Sequence, residues 1–227
     1  MNSFIINPSV QHAFDVSTNQ LKVKHFLKRD IQAFYHSDYS GGGQWKVQGT
    51  IENIICTLKN DISPYPLNVL QNASQQLANV LLEDLPQILQ QTGKSNITIC
   101  VIPRAKAKYN PDQLLFIATV SNVVNHLSGF NNGTNYIVRH TDTKTTHRAR
   151  WGHGGNGSMP YPGITKDTCS ISTEVRGKDI LLIDDLYTKT INIDEDCIQA
   201  LLDNGANSVI FYSVGKTVSK NSTNLFF

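Results

Sequence analysis

Two periodicities organise the chain. After the "SPYP" stop at 63–66, Leu70, Ala73, Leu77 and Val80 recur at helical spacing, which predicts a helix over 67–83. Phe116, Val120, Val123 and Leu127 fall on one side of a second helix within 111–127. A third helix is expected over 192–204, closed by Gly205 just past its end. Between them lie "NITICVI" (96–102), "DILLIDDL" (179–186) and "NSVIFYSV" (207–214). Such continuous apolar, β-branched runs mark strands covered on both faces. "NYIVRH" (135–140) reads as a short strand, and the Gly-, Thr- and Pro-rich residues 141–170 as one long loop. Residues 1–45 mix strand-like alternation with a stretch that could be a short helix, then break at Gly41-Gly42-Gly43.

Strand, helix, strand, helix, strand predicts an α/β fold. Its sheet should be mostly parallel, connected by right-handed crossovers and flanked by helices on both faces. The length of 227 residues suits one sizeable domain, expected over 51–227, with a small N-terminal hood or extension over 1–50. In open sheets of this kind ligands bind beyond the carboxyl ends of the strands. Chemistry is therefore expected just after residues 102, 140, 186 and 214.

Composition changes this picture little. A net charge of +2 is too mild to indicate a nucleic-acid partner. The charge is uneven, however: in "RHTDTKTTHRAR" (139–150), Arg139, Lys144, Arg148 and Arg150 face the single acid Asp142, with His140 and His147 added. That segment reads either as an anion-handling loop or as an ordinary solvated one. The four cysteines form no CxxC pair, and three of them sit in apolar runs where a thiol packs as a small hydrophobe. No apolar stretch approaches the ~18 residues of a membrane span, and no secretory signal is visible. The expected location is the cytoplasm, with no membrane partner.

At the end of the second buried run, "ILLIDDLYTKT" sets Asp184 and Asp185 side by side, followed by a short hydroxyl-bearing turn and a helix start. Adjacent carboxylates accept hydrogen bonds from vicinal hydroxyls such as those of ribose, or hold Mg²⁺ through water. A turn leading into a helix N-terminus suits a phosphate, and the hydroxyls of Thr188 and Thr190 would add donors. A sugar at the acids with a phosphate on the turn describes a ribose 5-phosphate.

"ILLIDDLYTKTIN" resembles the phosphoribosyl-pyrophosphate motif of type I phosphoribosyltransferases, most closely the competence-protein F type. "IENIICTLKNDIS" (51–63), "VIPRAKAKYNPDQLLFIATVSNVV" (101–124) and "RHTDTKTTHRAR" are similar to further segments of that family, in the same order. The resemblance spans roughly residues 50–217. It implies a Mg²⁺-dependent enzyme acting on phosphoribosyl pyrophosphate, with an acceptor base or nucleotide that the sequence does not name. Asp184 and Asp185 would be the catalytic pair, holding the ribose hydroxyls and Mg²⁺ indirectly, through ligand or water. Thr188, Lys189, Thr190 and Asn192 would hold the 5-phosphate. Arg104, Ala105 and Lys106, in the loop after the first buried strand, would grip pyrophosphate. Lys144, His147 and Arg148 would belong to a lid, and the "WGHGGNGSMPYPG" stretch with His153 to its pliable part. The same resemblance suggests a bacterial competence, antiviral-defence or toxin–antitoxin setting, with a regulatory protein partner.

The chain also departs from that family. Its phosphate loop usually reads Thr-Thr-Gly-x-Thr, but Thr190 stands in the glycine's place. A β-branched residue there implies a reshaped pocket or weaker binding. The N-terminal four-cysteine zinc module is missing as well, since the first cysteine is Cys56. A non-catalytic nucleotide-sensing or interaction module is therefore the alternative. A receiver domain, with Lys216 as its later-strand lysine, is a minor one. A plain dinucleotide-binding domain is excluded by the lack of a GxGxxG after the first strand.

Overall fold

The computed structural model describes residues 1–15, 20–62, 64–143, 168–189 and 191–218. Ten strands and four helices follow one another among them. They are β1 (Asn2–Ile6), β2 (Ser9–Asp15), β3 (Gln20–Leu27), β4 (Ile31–Tyr39), α1 (Ile51–Lys59), α2 (Leu67–Thr92), β5 (Ile97–Val101), α3 (Leu115–Val124), β6 (Phe130–Asn132), β7 (Ile137–Arg139), β8 (Cys169–Ile171), β9 (Asp179–Tyr187), α4 (Ile193–Asp203) and β10 (Ser208–Thr217). Six strands form one mixed sheet in the order β1-β4-β10-β9-β5-β6, parallel throughout except for the antiparallel edge strand β1. The α/β character and the mostly parallel sheet are as the sequence predicts.

Residues 1–50, expected as a hood or extension, supply two strands of this same sheet, with β4 running parallel to β10 from Ala33 opposite Phe211 to Tyr39 opposite Thr217. The expected short strand near 135–140 exists as β7 but lies outside the sheet, paired antiparallel with β8. The sheet's outer position belongs to β6, whose Phe130, Asn131 and Asn132 pair with Ile97, Thr98 and Ile99. With three residues and only partial burial, β6 carries too little apolar pattern to announce itself.

Strand pleating sends successive side chains to opposite faces. Leu181 and Ile183 of β9 accordingly join a hydrophobic cluster with Ile54, Ile55 and Leu58 of α1, Leu77, Leu81 and Leu85 of α2, and Val120 and Val123 of α3. Ile180 and Leu182 join a second cluster with Cys197, Ile198 and Leu201 of α4, and Leu27 of β3. The buried cysteines Cys100, Cys169 and Cys197 all belong to the second cluster. Burial pushes Cys100 up to about 12, so it packs as a small hydrophobe.

α1 starts on Thr50, whose hydroxyl accepts the Asn53 N–H at 3.2 Å, and stops at Asn60, which adopts the left-handed conformation at φ 48°. α2 runs well past its predicted end because Leu85 and Ile88, on either side of Pro86, are fully buried. A second tie fixes it: buried Asp84 accepts the Tyr212 hydroxyl at 2.8 Å and faces His36 Nδ1 at 3.0 Å, linking α2 to β10 and β4. No helix among the described residues is long and apolar enough to cross a membrane.

Candidate functional site

From β5 the chain passes to β6 through α3, which packs in the cluster of Leu181 and Ile183; from β9 it passes to β10 through α4, which packs in the cluster of Ile180 and Leu182. β5 and β9 are neighbours, so their departing connections open a crevice at their carboxyl ends, the place where α/β sheets bind ligands. A cleft lies there, lined from β5's end by Ile102, Pro103, Arg104 and Ala105, and from β9's by Asp184, Asp185, Leu186 and Thr188. Its enclosed volume of about 130 Å³ suits a phosphate or sugar moiety, below the ~300 Å³ at which whole-ligand pockets begin.

The two acids have different surroundings. Lys59 Nζ, at the end of α1, lies 3.1 Å from Asp185 Oδ1. Asp184 accepts the Asp185 N–H at 2.7 Å and is hydrogen-bonded to the carboxyl of Asp194, in the first turn of α4. Burial, and then the charge of Asp185, push the Asp184 carboxyl up to about 7, against the favourable pull of Asp194 and Lys59. Burial and the charge of Asp184 hold Asp194 well above the ordinary carboxylate range. The hydrogen bond between them favours the protonated form of Asp194 and the ionised form of Asp184. Glu195 is raised by burial too, and accepts the Tyr187 hydroxyl at 2.9 Å.

Across the cleft, Arg104 is held from several sides. One guanidinium nitrogen pairs with Asp61. The other donates to the Gln113 carbonyl at 2.5 Å, and the group stacks over the Tyr109 ring, 4.3 Å from its centroid. Arg139 Nε donates to the Arg104 carbonyl at 2.5 Å and so fixes the loop's backbone. The Ala105 carbonyl accepts the Thr143 N–H at 2.8 Å.

The structure thus brings Asp184, Asp185, Thr188, Arg104 and Ala105 to one cleft. Lys106 turns aside: its ammonium lies 3.7 Å from Asp142 and donates to the Thr143 carbonyl at 3.3 Å. Thr188 shares a hydrogen bond of 2.8 Å with Thr217 of β10. Lys189 is exposed on the turn, and Asn192 caps α4 at φ 58° with no side-chain cap bond. Thr190, Lys144, His147, Arg148 and the stretch carrying His153 lie outside the described residues.

Sequence reasoning did not single out Asp61, Tyr109 or Asp194 as site residues, and met Lys59 only within a family-like segment. Asp61 and Lys59 reach the cleft because Asn60 turns the chain sharply out of α1, and no motif marks that turn. Asp194 had a signal, since three consecutive acids open α4 directly after the candidate phosphate turn.

Among the described residues no group of three or more His, Cys, Asp or Glu side chains is disposed to hold a metal. Mg²⁺ is commonly held by one or two carboxylates together with substrate phosphates. Asp184 and Asp185 are adjacent carboxylates of that donor type. Comparison with protein-family models returns no match, and neither does a search of curated proteins at a significant level.

Proposed function

We propose that the chain is a Mg²⁺-dependent phosphoribosyltransferase-like enzyme of the cytoplasm, with phosphoribosyl pyrophosphate seated in the cleft between β5 and β9. The observation that carries this reading is the placement of an acid pair and an arginine loop on the two facing strand ends of one crevice. In the order β6-β5-β9-β10 the sheet follows the doubly wound 2-1-3-4 pattern, whose ligand lies at this switch point.

In this reading Asp184 and Asp185 take the ribose hydroxyls, and Arg104 the pyrophosphate. Thr188 and the turn after it take the 5-phosphate. Burial raises the carboxyls of Asp194 and Glu195 at the start of α4, which lessens their repulsion of that phosphate. Transfer breaks the bond between ribose C1 and the pyrophosphate oxygen, which leaves with the electron pair. The acceptor then bonds to C1. The sugar cation between these events needs position and a stabilised leaving group more than a strong base, and a fixed guanidinium supplies the second. Mg²⁺ bound with the substrate would add neutralising charge at the pyrophosphate.

The test is release of pyrophosphate from phosphoribosyl pyrophosphate and Mg²⁺, with candidate bases supplied in turn. One base should give release, and D184N/D185N should lose at least 100-fold of it while melting cooperatively. One observation favours a non-catalytic ligand-sensing module instead. Lys59 already neutralises Asp185 and Asp61 already neutralises Arg104, as in a site that changes partners on binding. Binding without release, for every base tried, would select that reading.

A further inference from the structure

The charged groups facing the cleft are matched by charges from outside the two strand ends. Lys59 and Asp61 flank Asn60, which is 9% exposed and left-handed at φ 48°. The kink is held by the Tyr65 N–H, donating to Asn60 Oδ1 at 2.9 Å, and by Gln113 Nε2, donating to the Asn60 carbonyl at 3.3 Å. It delivers a cation to Asp185 on β9 and an anion to Arg104 on the β5 loop. Lys106, the loop's second cation, faces Asp142.

We propose that Asp61 is a built-in competitor for the anion site of Arg104, setting a threshold that admits polyanions and turns away single phosphates. The idea rests on the reading of Arg104 as the pyrophosphate contact. Arg104's other partners are neutral and would stay: the Gln113 carbonyl, the Tyr109 ring and the backbone fixed by Arg139. Among the described residues, Asp61 is the one charged partner of Arg104, and an incoming anion would compete for the same guanidinium. The pair is partly solvated, with Arg104 23% and Asp61 29% exposed, so exchanging one oxyanion for another exposes no buried charge. A guanidinium holds a carboxylate and a phosphoryl group through the same fork of N–H donors. The ligand wins when its charge well exceeds that of one carboxylate. Pyrophosphate, with several charges, clears that threshold; a single phosphate, with roughly one and a half to two at neutral pH, competes too weakly to displace Asp61.

Calorimetric titration of inorganic pyrophosphate and of orthophosphate into wild type, D61N and D61A tests this, with R104A as reference. D61A should bind pyrophosphate at least tenfold more tightly than wild type and acquire measurable orthophosphate binding, and R104A should lose both. D61N, which can still hydrogen-bond Arg104, should fall between wild type and D61A. Unchanged or weaker binding in both Asp61 variants, each melting cooperatively, overturns the proposal. So does an absence of pyrophosphate binding in every variant. Phosphoribosyl pyrophosphate with Mg²⁺, titrated in parallel, separates that outcome from failure of the ligand reading itself: wild type binds it whether or not Asp61 competes.

Discussion

Asp184 sits where β9 leaves the core, with its carboxyl against Asp185 and Asp194, so ionising it costs the folded state free energy. In the unfolded chain such a group titrates near ~4; in the fold it is pushed up to about 7, chiefly by burial. Below the lower value both states carry the neutral acid and nothing is lost. As pH rises through the window the unfolded chain gives up its proton first, so stability falls and the loss is complete above the folded value. Asp184→Asn removes the effect. The variant should be more stable than wild type at pH 8, by on the order of 2–4 kcal/mol, and the gap should close towards pH 4. Urea melts at the two pH values measure it. A gap of equal size at both, or a variant weaker at pH 8, contradicts the assignment. The acid pair itself was plain in the sequence, because two carboxylates after four apolar residues have few structural uses. Its partners were not. Asp194 lies in a visible acid run at the start of one helix and Lys59 at the end of another, but nothing local in the sequence ties either to the pair.

At the scale of elements, α1 decides where Lys59 and Asp61 stand, and its seat on the sheet depends on Gly215 of β10. A Cβ there would come 3.0 Å from Ile55 Cδ1, 3.2 Å from Leu186 Cδ1 and 3.3 Å from Ile51 Cγ2. Gly215→Val should therefore push α1 outward and cost about 1–3 kcal/mol by overpacking. Because α1 carries Lys59 and the kink at its end places Asp61, the same variant should change ligand affinity from a position that touches no ligand. Chemical denaturation beside a ligand titration checks both; wild-type stability in Gly215→Val would mean that the contact is not tight. Elements of this kind differ in how well the sequence announces them. β5, β9 and the start of β10 are runs of apolar β-branched residues covered on both sides, and periodicity finds them. α2 outlasts its pattern because burial of Leu85 and Ile88 outweighs the hydrogen bond lost at Pro86. β4 was obscured by its own ambiguity: "IQAFYHSDY" is buried at Ile31, Ala33 and Phe34 but only partly so from Tyr35 to Ser37.

For the whole molecule, what matters is that topology turns separate segments into one crevice. β5 and β9 lie 78 positions apart when counted from Val101 to Asp179, yet they pair from Thr98 opposite Ile180 to Val101 opposite Ile183. That pairing alone sets Arg104 across from Asp184 and Asp185. Reading the chain placed both groups at strand ends; only the sheet order made the ends adjacent. Calorimetric titration of phosphoribosyl pyrophosphate, with and without Mg²⁺, is the most direct test of what that crevice holds. Saturable binding that strengthens with Mg²⁺ and disappears in D184N/D185N is the predicted result. An absence of both heat and thermal shift at millimolar ligand with Mg²⁺, or undiminished binding in the double variant, would contradict it.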